Sequence, residues 1–143
     1  MEYELPEIPE HYWVKKSIHR CKKCESVYDF FRGDETTIKL TELNGTGVKW
    51  MPVSGIGGYL YFMEELIPDY QVGQAISMIH VKLLDERLPA LLETSRDGNP
   101  FVLGNYKEEC PKCGSYDYVE LSETSIKNPE LDWIKVKRNI YRK

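Results

Sequence analysis

The 143-residue sequence predicts an α+β fold of mostly antiparallel strands with two or three helices, closed by a four-cysteine metal clip. Three observations point there. Short segments rich in β-branched and aromatic residues recur between Gly-, Asn- and Pro-bearing turns, which suits hairpins. Apolar spacing turns helical only in the middle of the chain. The cysteines are Cys21, Cys24, Cys110 and Cys113, two pairs of identical spacing set far apart.

The elements follow in order. Residues 1–10 carry Glu2, Glu4, Glu7 and Glu10 and no Lys or Arg, and Pro6 and Pro9 prevent a helix, so they read as an extended acidic arm. Residues 12–20 alternate, with Tyr12, Val14 and Ile18 on one face and Lys15, Ser17 and His19 on the other. Such a pattern suits a half-buried strand. Val27, Tyr28, Phe30 and Phe31 continue a hairpin as far as the Gly33-Asp34 turn. Thr36 to Leu43 is β-branched and strand-like, Asn44 to Gly47 is a turn, and Val48 to Val53 is the return strand. After Gly55, Gly57 and Gly58, a helix carries Tyr59, Phe62, Met63 and Leu66 inward and Glu64 and Glu65 outward, and Pro68 ends it.

Residues 72–83 fit two patterns. Val72, Ile76, Ile79 and Leu83 have helical spacing, while Ile79, Val81 and Leu83 alternate, and 75–83 is expected as a strand. Asp85 is expected to cap a helix running to about Ser95, with Pro89 in its first turn and Leu88, Leu91 and Leu92 as its inner stripe. Asp97 to Pro100 is a loop. Tyr116 to Ser122 is a strand, Asn128-Pro129 breaks it, and Trp133, Ile134 and Val136 form a last strand or short helix. The expected organisation is an acidic arm over 1–10, one clipped domain over 11–134 with an insert at 25–109, and a basic tail over 135–143.

Composition bounds the class. At this length a chain buries about 70% of its unfolded surface, so a core is feasible. Aromatics at 12% argue against disorder. No run of 18 apolar residues exists, so no membrane span is expected. Met1 to Glu10 is unlike a signal peptide, and a cytoplasmic location is expected. The net charge of −4 does not favour nucleic acid through the overall field. Four thiolates and one Zn²⁺ would take it to about −6.

Each cysteine pair encloses two residues, Cys21-Lys-Lys-Cys24 and Cys110-Pro-Lys-Cys113. Both sulfurs of a pair can then face one centre from a tight turn whose amides stabilise their charge. Two such turns supply a tetrahedral set of four thiolates, which suits zinc. Iron in a rubredoxin-like site, dithiol redox chemistry and disulfides are the alternatives. Gly114 tolerates the positive φ with which a chain leaves such a turn. Cys110-Pro-Lys-Cys113-Gly114 resembles the second knuckle of a zinc ribbon, and Cys21-Lys-Lys-Cys24 resembles the first, with Glu25 where a glycine often follows. The resemblance covers these two segments, and the 85-residue insert is much longer than in simple zinc ribbons. Four cysteines leave no coordination position for water, so one structural zinc per chain is expected. His19 is expected beside the site and not as a ligand.

Other candidates are weaker. The Gly55-Ile-Gly-Gly58 loop lacks the ending of a P-loop and is expected to be a structural turn. His80 is expected in the core or at an edge. Glu64-Glu65, Asp85-Glu86 and Glu108-Glu109 are neighbours that face apart, and no catalytic dyad or nucleophile elbow is present. Lys135, Lys137, Arg138, Arg142 and Lys143, with Tyr116 and Tyr118, are candidate contacts to a partner or to nucleic acid, although the two charged ends could also be solvated or pair with each other. The expected function is zinc-clipped protein binding, as an adaptor or as an inhibitor of the immunity-protein kind. A nucleic-acid-associated zinc ribbon is the alternative, and an enzyme with its site in the insert is the third class.

Overall fold

The computed structural model describes residues 2–67, 70, 75–103 and 109–138. In chain order the elements are β1 (Tyr3–Glu4), β2 (Trp13–Cys21), β3 (Val27–Gly33), β4 (Thr37–Glu42), β5 (Val48–Pro52), α1 (Tyr59–Leu66), α2 (Met78–Arg87), a 3-10 helix (Leu88–Leu91), β6 (Phe101–Leu103), β7 (Tyr118–Lys127) and β8 (Val136–Lys137). The strands pair antiparallel in three sheets, ordered β3-β2-β7, β5-β4-β6 and β1-β8. No described helix is long and apolar enough to cross a membrane. The α+β class and the antiparallel sheets are as the sequence predicts.

The sheet β3-β2-β7 carries the cysteine knuckles at one end. Its central strand departs from the expected pattern. Val14 is buried, but so are Ser17, His19 and Cys21, from the face expected to be polar. The register explains this. Ser17 lies opposite Phe30 and His19 opposite Tyr28, so those rings share the face of His19 and cover it. Each face of β2 is covered over a different half of its length, which alternation alone does not reveal.

The second body joins β5-β4-β6 to the helices. Its core comprises Leu40 and Met51 from the sheet, Phe62 and Met63 from α1, and Leu84, Leu88 and Leu92 from the α2 region. Ile134 and Val136 near the C-terminal end complete it. The returning chain is held at Trp50, whose N–H donates to Asp132 O at 2.9 Å and whose carbonyl accepts from Ile134 N at 2.7 Å. Apolar burial of Ile134 and Val136 ties this returning segment to the insert.

Helix α2 overturns two expectations. Residues 78–83 are helical and not a strand, and Asp85 lies inside this helix and not at the cap of a later one. The decisive signal is Ser77. Its Oγ accepts from His80 N, and its own N–H donates to His80 Nδ1, both at 3.3 Å, which closes a capping box with a histidine in the usual place of Glu or Gln. The buried stripe is His80, Leu84 and Leu88, one helical turn apart. Asp85 accepts from Leu103 N at 3.1 Å and joins the helix to β6. The helix gives way to the 3-10 turn at Leu88, because Pro89 follows. Val72 and Pro68 lie outside the described residues.

Glu42 ties the β4–β5 turn to the loop before β6. Its carboxylate accepts from Gly47 N at 3.0 Å and from Asn99 Nδ2 at 2.9 Å. An added Cβ at Gly45 would stand 2.3 Å from Glu42 Cδ, so the glycine leaves room for the carboxylate in its present position. Hydrogen bonds from Ser95, Asn99 and the Gly47 amide hold the Glu42 carboxyl below its ordinary range. A depressed carboxyl stabilises the fold above its unfolded pKa, and that contribution is lost as pH falls through the folded value. Amide protection factors in residues 43–47 and 95–99, taken relative to intrinsic exchange at each pH, are therefore expected to fall at acid pH. In Glu42→Gln they should already be lower at neutral pH and show little further acid loss. Equal acid loss of protection in both proteins would exclude this role.

The ends of the described chain meet. Tyr3 pairs with Lys137 and Glu4 with Val136, and Arg138 N donates to Glu2 O at 2.9 Å. Arg138 Nε also lies 3.7 Å from Glu4 Oε2. Of the readings open for the charged ends, pairing with each other holds for this part of the tail.

Candidate metal centre

The four cysteines come together because β2 ends at Cys21 and β7 begins five residues after Cys113, on adjacent strands of one sheet. The two knuckles share one hydrogen-bond pattern. Cys21 N donates to Ser26 O at 2.9 Å, and Cys110 N donates to Ser115 O at 2.8 Å. Glu25 N returns to Cys21 O at 2.9 Å, and Gly114 N to Cys110 O at 2.8 Å. Both turns leave through a left-handed residue, Gly114 at φ 76° and Glu25 at φ 64°. Glu25 thus takes the conformation that a glycine would reach without steric cost.

The sulfurs all lie within 4.8 Å of one another. Cys21 Sγ is 3.5 Å from Cys113 Sγ, and Cys24 Sγ is 3.6 Å from Cys110 Sγ. A tetrahedron of thiolates at a zinc–sulfur distance of about 2.3 Å has sulfur–sulfur edges of about 3.8 Å. The donor set therefore fits one ion. Cys21 and Cys110 are buried, Cys24 is half-buried and Cys113 is exposed.

Local electrostatics separate the thiols. The amides of Cys24 and Lys23 point at Cys21 Sγ, at 3.5 and 3.4 Å, and outweigh burial to lower its pKa. The Ser26 hydroxyl, 3.2 Å away, and the Ser26 amide bring Cys24 down to about 6. At Cys113 the Ser115 amide favours the thiolate, but desolvation and the three neighbouring sulfurs outweigh it and hold the thiol at about 11. Four thiolates crowd together only if a cation offsets their repulsion.

Under the knuckles lies a small aromatic core. His19 is fully buried, stacked on Tyr118 with centroids 4.0 Å apart and on Phe30 at 5.9 Å, with Tyr28 edge-on at 5.4 Å. Among the described residues neither ring nitrogen of His19 has a hydrogen-bond partner, and Glu120 Oε1 is 3.9 Å from Nε2. His19 is outside the sulfur cluster, as expected, and it supports the site by packing.

The other candidates disperse. Tyr116 is exposed, Tyr118 stacks on His19, Lys135 is exposed, Lys137 lies in β8 and Arg138 faces Glu4. Lys22 of the first knuckle pairs at 3.6 Å with Asp117, which lies between the two tyrosines. Arg142 and Lys143 lie outside the described residues. Ser26 and Ser115 are not among the residues expected at the site, although a signal exists: the repeat is Cys-x-x-Cys-x-Ser in both knuckles. The chain matches no protein-family model, and no curated protein and no solved structure is significantly similar to it.

Proposed function

We propose that this chain is a protein-binding module whose zinc-ribbon-like knuckles hold one structural zinc ion, without a catalytic role for the metal. Zinc suits a set of four thiolates with no place for water, and it brings no redox chemistry of its own. The residues that would hold it are Cys21, Cys24, Cys110 and Cys113, and what it supplies is the closure of the knuckles.

One observation carries the binding reading: large apolar side chains face solvent on α2, while several described cations are already paired with carboxylates within the chain. Lys15 pairs with Glu123, Lys16 with Asp29, Arg32 with Glu120 and Glu123, and Lys49 with Glu93 and Asp132. Phosphate binding draws on cations that such pairing occupies. On and beside α2, by contrast, Met78 is 85% exposed and Ile79 70%, with Ile76 and Val81 also exposed. His80 is turned inward in their place. A helix that hides its histidine and shows its aliphatic residues supports docking against another protein.

The test pairs two measurements on the zinc-loaded chain. Photo-crosslinking from position 79 in an extract of the source cell is expected to give a discrete protein adduct. That adduct should be absent with the photo-crosslinker at exposed Asp97 and lost in Met78→Asp. Anisotropy with single- and double-stranded oligonucleotides at low salt is expected to show no saturable binding. Tight, steeply salt-dependent oligonucleotide binding with no adduct would favour the nucleic-acid class instead.

A further inference from the structure

We propose that β7 is a homodimer seam, pairing edge to edge with β7 of a second copy to make one six-stranded antiparallel sheet. This rests on the sheet edge and is independent of the docking surface on α2.

The two edges of the sheet β3-β2-β7 differ. At β3, the carbonyl of Phe31 accepts from Lys39 Nζ at 2.7 Å, so the neighbouring sheet already engages that edge. Strand β7 pairs with β2 on one side, and no described strand lies on its other side. Residues 120–125 are all exposed. A strand with one free side presents unpaired amides and carbonyls as a template for another strand.

The occupant is identified by register. Against β2, Ser122 lies opposite Ile18 and Glu120 opposite His19, so Leu121 is the extra residue of a bulge. The bulge places Glu120 on the same face as Glu123, and Arg32 touches both carboxylates, at 3.0 and 2.7 Å. Ser125 and Lys127 continue that face. Suppose two copies of β7 pair antiparallel about a two-fold axis through Thr124. Thr124 then meets its own copy, Glu123 meets Ser125, and Ser122 meets Ile126. Past the bulge, Glu120 meets Lys127, once on each side of the axis. Every pair joins residues of the same face, so no side chain is inverted. Opposite charges, a Thr–Thr pair and a Glu–Ser pair are favourable cross-strand neighbours, and no like charges meet. Without the bulge, Glu120 and Lys127 would project to opposite faces. A strand complementary to itself in one register is what an isologous interface requires.

Sedimentation velocity of the full zinc-loaded chain, from the micromolar to the sub-millimolar range, tests this. The wild type is expected to pass from monomer to dimer. Thr124 is exposed and makes no side-chain hydrogen bond among the described residues, so substitutions there spare the monomer fold. Thr124→Glu and Thr124→Lys should each dimerise about fivefold more weakly, because like charges then meet on the axis, and an equimolar mixture should recover wild-type association or better. Lys127→Glu sets carboxylates opposite Glu120 twice per dimer, with a loss of roughly tenfold or more. A wild type that stays monomeric throughout overturns the seam. So does association that all three substitutions leave unchanged.

Discussion

Removing the metal proposed for the four cysteines is expected to open the knuckle half of the molecule and to spare the helical half. Cys21, Cys24 and Cys110 belong to a small cluster with Tyr28, separate from the main core around Leu40, Phe62 and Leu84. Cys24 and Cys110 are 86 positions apart, so the clip closes a long loop. On the chain-entropy scale used for cross-links, a closure of that length is worth roughly 4 to 5 kcal/mol. The thiolates also repel one another once the cation is gone. Chelation, or Cys110→Ser at a buried ligand, should therefore abolish stoichiometric zinc and speed amide exchange in β2, β3 and β7 by orders of magnitude. Exchange in α1 and β5 should change far less. Elemental analysis with hydrogen-exchange mass spectrometry would check both halves. A purified chain without metal whose β2 amides are as protected as before would refute the clip.

The second large effect concerns the face of α2. Leu84 is fully buried among the core residues, whereas Met78 on the same helix is exposed. Leu84→Ala should cost about 3 kcal/mol, a fall of roughly 10 °C in Tm, through lost transfer energy and the cavity left behind. Met78→Ala should leave Tm nearly unchanged, as exposed sites usually do. Thermal unfolding of the two variants decides the matter. Equal losses would mean that Met78 is covered in solution, and no loss at Leu84 would contradict the buried stripe of His80, Leu84 and Leu88.

Several elements are legible in the amino-acid sequence because their determinants are local. The turn at Asn44 to Gly47 and the strands around it follow from backbone preferences of those residues, and Asn44 does adopt a positive φ of 61°. Helix α1 shows Phe62 and Met63 inside and Glu64 and Glu65 outside, as helical spacing predicts. The region 75–83 departs from the expected strand because its most apolar residues, Ile76 and Ile79, are not the ones buried. Periodicity weighs hydrophobicity, and here a histidine that caps the helix occupies the inner face. The strand after the second knuckle starts later and runs longer than predicted, from Tyr118 to Lys127, because pairing with β2 carries it through the polar residues Ser122 to Ser125.

What the sequence determined by itself is the four-cysteine cluster suited to a metal ion. Two turns of fixed spacing present sulfurs to one centre wherever the intervening chain goes, because ligand type and turn geometry are short-range properties. What only the tertiary structure decided is which surfaces remain for use. The inner face at His19, the outward aliphatic face of α2 and the open edge of β7 all depend on which neighbour arrives. Burial is a relation between distant segments, and no single segment encodes its own partner.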